Sequence, residues 1–283
     1  MKPHDDYVKV VFSIFAKKIQ FLFMDLQVGL IVAGLLVGFI VGMTGVGGGS
    51  LMTPILLWFN IPASTAVGTD LLYAAITKSG GVLVHNKKKN INWTITGWLS
   101  LGSVPAALLT LWILHALHTD TTALNNVIKY SLGWALVFTS VAILFKKKLL
   151  VLSQKHAGDK FHSESRTQNL LTVAIGVMLG ATVTLTSIGA GALGTVTLFF
   201  LYPLLPTPRL VGTEIAHAVP LTLVAGLGHA SMGNIDLALL GQLLLGSLPG
   251  IYIGSMLSGK LPDLLLRNAI AIMLFLVGFK LIS

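Results

Sequence analysis

Two Gly-Thr-acid triplets interrupt long apolar stretches: Gly68-Thr69-Asp70 and Gly212-Thr213-Glu214. Pro62-Ala63-Ser64 and Thr207-Pro208 read as helix starts just before them. Each carboxylate then lies about two turns inside a helix. At that depth in a bilayer an ionised, unpaired carboxylate costs several kcal/mol, so it must be protonated, paired or open to a water-filled path. His217 follows Glu214 by three residues on the same helical face and can pair with it. Lys78, further along from Asp70, can be reached only from a neighbouring face or helix. Asp70, Glu214 and His217 are therefore candidates for proton coupling. The equal alternative is a structural carboxylate that caps an adjacent broken helix or holds the two halves together.

A second pair of motifs has anion chemistry. Thr44-Gly45-Val46-Gly47-Gly48-Gly49-Ser50 and Thr186-Ser187-Ile188-Gly189-Ala190-Gly191-Ala192 each follow an apolar run and lead into a short apolar segment. Glycine breaks a helix and lets backbone approach closely. The N–H groups of a restarting helix carry partial positive charge and attract an anion. Thr44, Ser50, Thr186 and Ser187 add hydroxyl donors, and Thr69 and Thr213 stand beside the carboxylates. The expected anion site is thus Thr44, Gly45, Gly47, Gly48, Gly49, Ser50, Thr69, Thr186, Ser187, Gly189, Gly191 and Thr213. Packing is the competing explanation for the glycines, and for Gly34, Gly38 and Gly42, at GxxxG spacing, it is the better one.

Other chemistries lack their residues. No Gly-Lys-Ser/Thr follows the glycine runs, so a nucleotide loop is excluded. Cysteine is absent, which removes disulfides, thiolate metal sites and cysteine nucleophiles. No His/Asp/Glu set has metal-ligand spacing and no Ser-His-Asp order suggests an enzyme, so neither metal nor cofactor is expected. His85 and His229 end their segments before Asn90 and Asn234 and read as interfacial caps near helix C-termini.

The elements that must position these residues are membrane helices. Of 283 residues 54% are hydrophobic and 10% charged, against about 25% charged in a soluble domain. Apolar segments fall at about 26–43, 50–60, 64–85, 92–115, 123–145, 170–187, 192–205, 208–229, 236–257 and 262–282, continuous rather than alternating, which favours helices over a barrel. The formal charge of +9 is concentrated partly in Lys87-Lys88-Lys89 and Lys146-Lys147-Lys148, beside apolar runs. That is the pattern of cytoplasmic loops and not of a nucleic-acid surface. Residues 1–25 read as an amphipathic interfacial segment without a signal-cleavage site, 26–145 as a first transmembrane unit, 146–169 as a polar cytoplasmic linker, and 170–283 as a second unit.

The two units repeat each other. With Gly38 placed on Gly180, Thr44, Gly47, Gly49, Leu51 and Thr53 fall on Thr186, Gly189, Gly191, Leu193 and Thr195. After a two-residue insertion, Val67-Gly68-Thr69-Asp70 falls on Val211-Gly212-Thr213-Glu214, His85 on His229, Asn90-Ile91 on Asn234-Ile235, and Gly102-Ser103-x-Pro105 on Gly246-Ser247-x-Pro249. The fold expected is an all-α polytopic membrane protein of two pseudo-symmetric repeats of about five segments each, inverted across the bilayer, with broken or re-entrant helices at the glycine-rich breaks. A purely re-entrant second segment would instead make the repeats parallel.

The same residues resemble a known family. Gly42-x-x-Gly45-x-Gly47-Gly48-Gly49-Ser50-Leu51-x-x-Pro54, Ala66-x-Gly68-Thr69 and His85 look like the first repeat of the sulfite exporter TauE/SafE family. Val211-Gly212-Thr213-Glu214-x-x-His217-Ala218-x-Pro220, Gly228-His229, Gly233-Asn234-Ile235-Asp236 and Gly246-Ser247-x-Pro249-Gly250 look like the second. The second repeat departs from the first with Ala190 for Gly48 and Val196 for Pro54. The resemblance implies a multi-pass secondary transporter of the bacterial inner membrane, an exporter of sulfite, thiosulfate or organosulfonates. Its partners would be a small anion, the lipid bilayer and a coupled proton, with no nucleic acid; a homo-oligomer is one arrangement open to it. An anion channel and a cation-coupled carrier of another small metabolite are the alternatives.

Overall fold

Proline sets the entry of the two helices that contribute the most buried residues among those described. Pro62 and Pro206 hold extended backbone, with ψ of 142° and 137°, immediately before helices begin at Ala63 and Thr207. Proline lacks the N–H that a first turn leaves unpaired, so it costs nothing there and fixes where the helix starts.

The computed structural model describes residues 27–43, 49–116, 121–156, 166–189, 191–257 and 263–283. These are helical apart from short connections: α1 Gln27–Met43, α2 Gly49–Trp58, α3 Ala63–Lys87, α4 Trp93–Ala116, α5 Thr121–His156, α6 Arg166–Thr186, α7 Ala192–Leu201, α8 Thr207–Ser231, α9 Leu237–Leu257 and α10 Asp263–Ile282. No strand occurs among the described residues. Five stretches, Trp93–Ala116, Thr122–Phe145, Arg166–Thr186, Thr207–Ser231 and Leu237–Gly254, are long and apolar enough to cross a membrane. Large apolar side chains such as Leu101, Trp112, Phe138, Leu245 and Tyr252 are exposed on them. Hydrocarbon rather than water suits that surface.

The helix α3 is long enough to span, at about 37 Å, yet is not among the five. Its buried face carries Ser64, Thr69, Asp70 and Lys78 in place of aliphatic residues. It packs lengthwise on α8, whose buried face carries Thr213, Glu214, His217, Thr222 and His229. The two run antiparallel: Gly68 lies against Asn234, Leu72 against Gly226, Ile215 against Gly81, and Asn90 against Gly212. Helices α5 and α10 are also antiparallel, with Gly133 against Leu281 and Gly278 against Val137.

Outside this pair the halves exchange partners. In α1, Gly34 and Gly38 lie on the carbonyls of Leu243 and Ser247 in α9. In α6, Gly176 and Gly180 lie on the carbonyls of Leu99 and Ser103 in α4. A Cβ at any of the four would collide with backbone, which is the close approach expected of GxxxG spacing.

Helices α2 and α7 have ten residues each, about 15 Å, half the thickness of a hydrocarbon core. They are too short to cross by themselves. The helix α5 departs from the expected linker in the opposite sense. It continues through Lys146-Lys147-Lys148 to His156, so the stretch 146–169 begins as helix. At 36 residues, about 54 Å, α5 is longer than the bilayer core is thick. The expected segment 1–25 lies outside the described residues.

Candidate functional site

The break between α6 and α7 is built from its own backbone. Ser187 adopts φ of 59° and Gly189 φ of 120°, a sequence of left-handed turns that stops α6 and reverses the chain. Thr186 holds the turn from within: its hydroxyl donates to the Thr182 carbonyl at 2.6 Å and accepts the Ile188 N–H at 3.1 Å. The Gly189 carbonyl takes the N–H groups of Gly191 and Gly194 at 2.8 and 2.9 Å. Part of the donor set expected to face an anion is therefore consumed by the turn. Ser187, buried, keeps a hydroxyl without a hydrogen-bond partner among the described residues.

The equivalent first break, with Thr44, Gly45, Gly47 and Gly48, lies outside the described residues, and Gly49 and Ser50 open α2. Behind them α2 meets α3 through one contact of consequence. Thr53 donates from Oγ1 to Asp70 Oδ2 at 2.5 Å. The Ser187 hydroxyl stands beside the same carboxylate, short of hydrogen-bond geometry, and Asp70 Oδ1 has no hydrogen bond among the described residues. Asp70 thus joins a helix of the first half to the break of the second.

Glu214 is placed differently. Its carboxylate lies against the first turn of α7, where a Cβ added to Gly194 would stand 3.0 Å from its Cγ and 3.2 Å from Oε1. Its charged neighbour is Lys78 of α3, with Nζ 4.0 Å from Oε1 and both side chains buried. That separation suits an ion pair but is too long for a hydrogen bond, and Oε1 makes none among the described residues.

His217 does not pair with Glu214. Its Nε2 is 2.8 Å from Ser103 Oγ on α4, and Ser103 is fully buried. The close α4–α8 packing offers the ring a hydroxyl across the interface, and that contact replaces the same-helix one. At the matching positions of the other half, Tyr73 of α3 and Ser247 of α9 bring their hydroxyls side by side.

Thr69 and Thr213 are also committed elsewhere. Thr213 Oγ1 accepts the Asn92 N–H at 2.9 Å, and Thr69 Oγ1 accepts the Asp236 N–H at 3.2 Å. Each hydroxyl ties a connection of one half to the central helix of the other. His229 is no interfacial cap: it is fully buried and its Nε2 meets the Thr184 carbonyl of α6 at 2.9 Å. Its carbonyl, with that of His85, accepts the N–H of the asparagine that turns the chain, Asn234 and Asn90 respectively. Among the described residues no group of three or more His, Cys, Asp or Glu is arranged to hold a metal.

The structure therefore draws Asp70, Glu214, His217 and Ser187 into one buried polar core and adds Thr53, Lys78, Ser103 and Gly194. Sequence carried a trace of three of these. Thr53 and Ser103 recur at Thr195 and Ser247, and Lys78 is the one lysine within its apolar segment.

Comparison with known proteins fits this arrangement to a family. The profile described as Sulfite exporter TauE/SafE matches residues 30–281. The chain is 39% identical over 219 residues to the Bacillus subtilis protein named Probable membrane transporter protein YjnA, covering 77% of this chain and 85% of that one. It is 30% identical over 212 residues to YdhB of the same organism, named in the same words, covering 72% and 79%. A Methanocaldococcus jannaschii protein with that description, MJ0441, is 40% identical over 82 residues, 27% of this chain and 31% of its own. No solved structure matches the chain. With nearly all of its length accounted for by one profile, the chain belongs to the sulfite exporter TauE/SafE family.

Proposed function

We propose that this protein is a secondary transporter of the bacterial inner membrane that moves small sulfur-containing anions, such as sulfite, thiosulfate or organosulfonates, outward and in step with protons. The observation that carries the reading is the buried core of Asp70, Glu214, Lys78 and Ser187 beside a helix break. Charged groups at the centre of a helical membrane protein are expensive to keep and mark transport paths. A half-length helix that starts there is the usual way to present backbone N–H groups to an anion.

The reading includes two inverted repeats. Helices at matching sequence positions, α3 with α8 and α5 with α10, run in opposite directions, as inversion requires. Contacts also match across the halves: Thr69 with Asp236 and Thr213 with Asn92, Gly34 with Leu243 and Gly176 with Leu99. Such an arrangement lets one half rock against the other around a fixed central site.

Flux of sulfite, thiosulfate and a sulfonate into proteoliposomes, with and without a pH gradient, tests the function. Counterflow exchange separates a carrier from a channel. No anion flux under either condition rejects the proposal. Flux unchanged in both Asp70→Asn and Glu214→Gln rejects the proton role alone.

A further inference from the structure

The Glu214 carboxylate stands where an anion was expected. It touches the first turn of α7, faces the ammonium of Lys78, and leaves Oε1 without a hydrogen bond among the described residues although it is buried. A buried carboxylate oxygen held only by a 4.0 Å ion pair is poorly satisfied, and a poorly satisfied buried group calls for an explanation. Gly194 supplies the space: any side chain there would push the carboxylate away from the turn. Among the described residues the first half has no counterpart of this arrangement. Met52 stands at the position matching Gly194 and is fully buried, and Asp70 has turned to Thr53.

We propose that Glu214 is the resting occupant of the anion site, and that a cargo anion displaces it from Lys78 and the α7 turn as Glu214 takes up a proton. This rests on the transporter reading above and assigns its coupling to one carboxylate and its anion recognition to Lys78. The charge balance sets the stoichiometry. At rest the Lys78 ammonium is neutralised by the Glu214 carboxylate. A monoanion that takes its place leaves a second negative charge in a low-dielectric core unless Glu214 is protonated. One proton entering with one monoanion leaves the net charge of the pair unchanged, so the transport step is electroneutral. Displacement also uncovers the first turn of α7, while the Ser187 hydroxyl of the same break already stands without a hydrogen-bond partner among the described residues.

Two other titratable side chains stand near the pair, and each already has a hydroxyl partner. Asp70 and His217 lie within electrostatic range of Lys78. Asp70 already accepts from Thr53, and the His217 ring meets Ser103. The helix α7 carries no ionisable side chain, and α4 and α6 carry theirs at their ends, His115 and Arg166.

The test is calorimetric binding of methanesulfonate, an anion with no proton of its own to give, to the purified full-length protein in detergent. Runs in two buffers of different ionisation enthalpy count the protons taken up. Wild type is expected to take up about one proton per anion, and Glu214→Gln about none while still binding. The double variant Lys78→Gln/Glu214→Gln removes both charges, so no lone buried charge is left to unfold it, and its thermal unfolding verifies the fold. It is expected to bind at least about tenfold more weakly than Glu214→Gln. Undiminished proton uptake in Glu214→Gln, or undiminished binding in the folded double variant, overturns the inference. Binding by wild type without proton uptake overturns it while leaving the carrier reading intact. Failure of methanesulfonate, thiosulfate and sulfite all to bind overturns both.

Discussion

Asp70 and Glu214 stand at matching places in the two halves, each after Gly-Thr and each inside a helix that leans on the other. Their surroundings differ. Asp70 is bound by Thr53 of its own half, on α2, where the residue matching Gly194 is a buried methionine, Met52. Glu214 faces a lysine of the opposite half and a glycine in α7. The threonine matching Thr53, Thr195, spends its hydroxyl on the Gly191 carbonyl of its own helix. Around this unequal centre the scaffold contacts of the halves correspond closely. The proposed exchange needs only one lysine and one displaceable acid, so the two carboxylates need not share surroundings.

The sharpest way to break the comparison is to perturb Met52 and Gly194, which match in sequence. Met52→Ala empties a fully buried site and should cost about 2–5 kcal/mol. Gly194→Ala adds a methyl 3.0 Å from Glu214 Cγ, should cost about 1–3 kcal/mol, and should also impair anion flux. Thermal unfolding in detergent together with liposome flux reads both effects. Equal losses of stability with equal losses of flux would erase the distinction drawn between the halves.

The glycines of the two Gly-Ser-x-Pro motifs should behave oppositely, as equals. A Cβ at Gly102 runs into the Val173 carbonyl, and one at Gly246 into the Ile31 carbonyl. Backbone cannot swing aside as a side chain can, so Gly102→Ala and Gly246→Ala should each lie toward the upper end of about 1–3 kcal/mol. A large difference in their unfolding temperatures would show that the scaffold itself is unequal.

What could be read from sequence follows from what is local. Apolar length placed the helices, Pro62 and Pro208 marked where the central two begin, and ordered matching paired Thr69 with Thr213, whose hydroxyls make corresponding contacts to Asp236 and Asn92. Glu214 and Asp70 stood out because carboxylates are costly in such segments. Their partners did not stand out. Ser103 reaches His217, and Lys78 reaches Glu214, across more than a hundred residues, and no helical period encodes which faces of distant helices meet. The residue type of Thr69, Thr186 and Thr213 permits their hydroxyls to serve an anion. In the structure, nearby N–H and carbonyl groups claim them first. The lysine triplet before α5's end looked like the start of a loop, yet long basic side chains can leave a membrane without ending a helix.

Thr53→Val and Thr195→Val sharpen the contrast between the carboxylates. The first removes a donor from a buried acid, and the second removes a bond to a backbone carbonyl within one helix. Hydrogen bonds to charged groups contribute more than neutral ones, so Thr53→Val should cost about 1.5–3 kcal/mol and Thr195→Val about 0.5–1.5. Unfolding temperatures in the same detergent compare them, and a larger loss at Thr195 would contradict the placement of Asp70.

The smallest expected effect separates the two matching histidines. His229 is fully buried, and its Nε2 binds the Thr184 carbonyl, so it clamps α8 to the end of α6 just before the break. His85 is partly exposed, and its buried Nδ1 has no hydrogen-bond partner among the described residues. Substitution of His229 by leucine leaves a buried carbonyl without its donor, which should cost about 1–2 kcal/mol. The same change at His85 strands no carbonyl and should stay within about 0.5 kcal/mol. The clamp sits next to Ser187, so loosening it should also alter anion flux, whereas His85→Leu should alter stability and flux little. If His85→Leu proves the more damaging of the two, then the half that holds Asp70, and not the half that holds Glu214, contains the tighter closure.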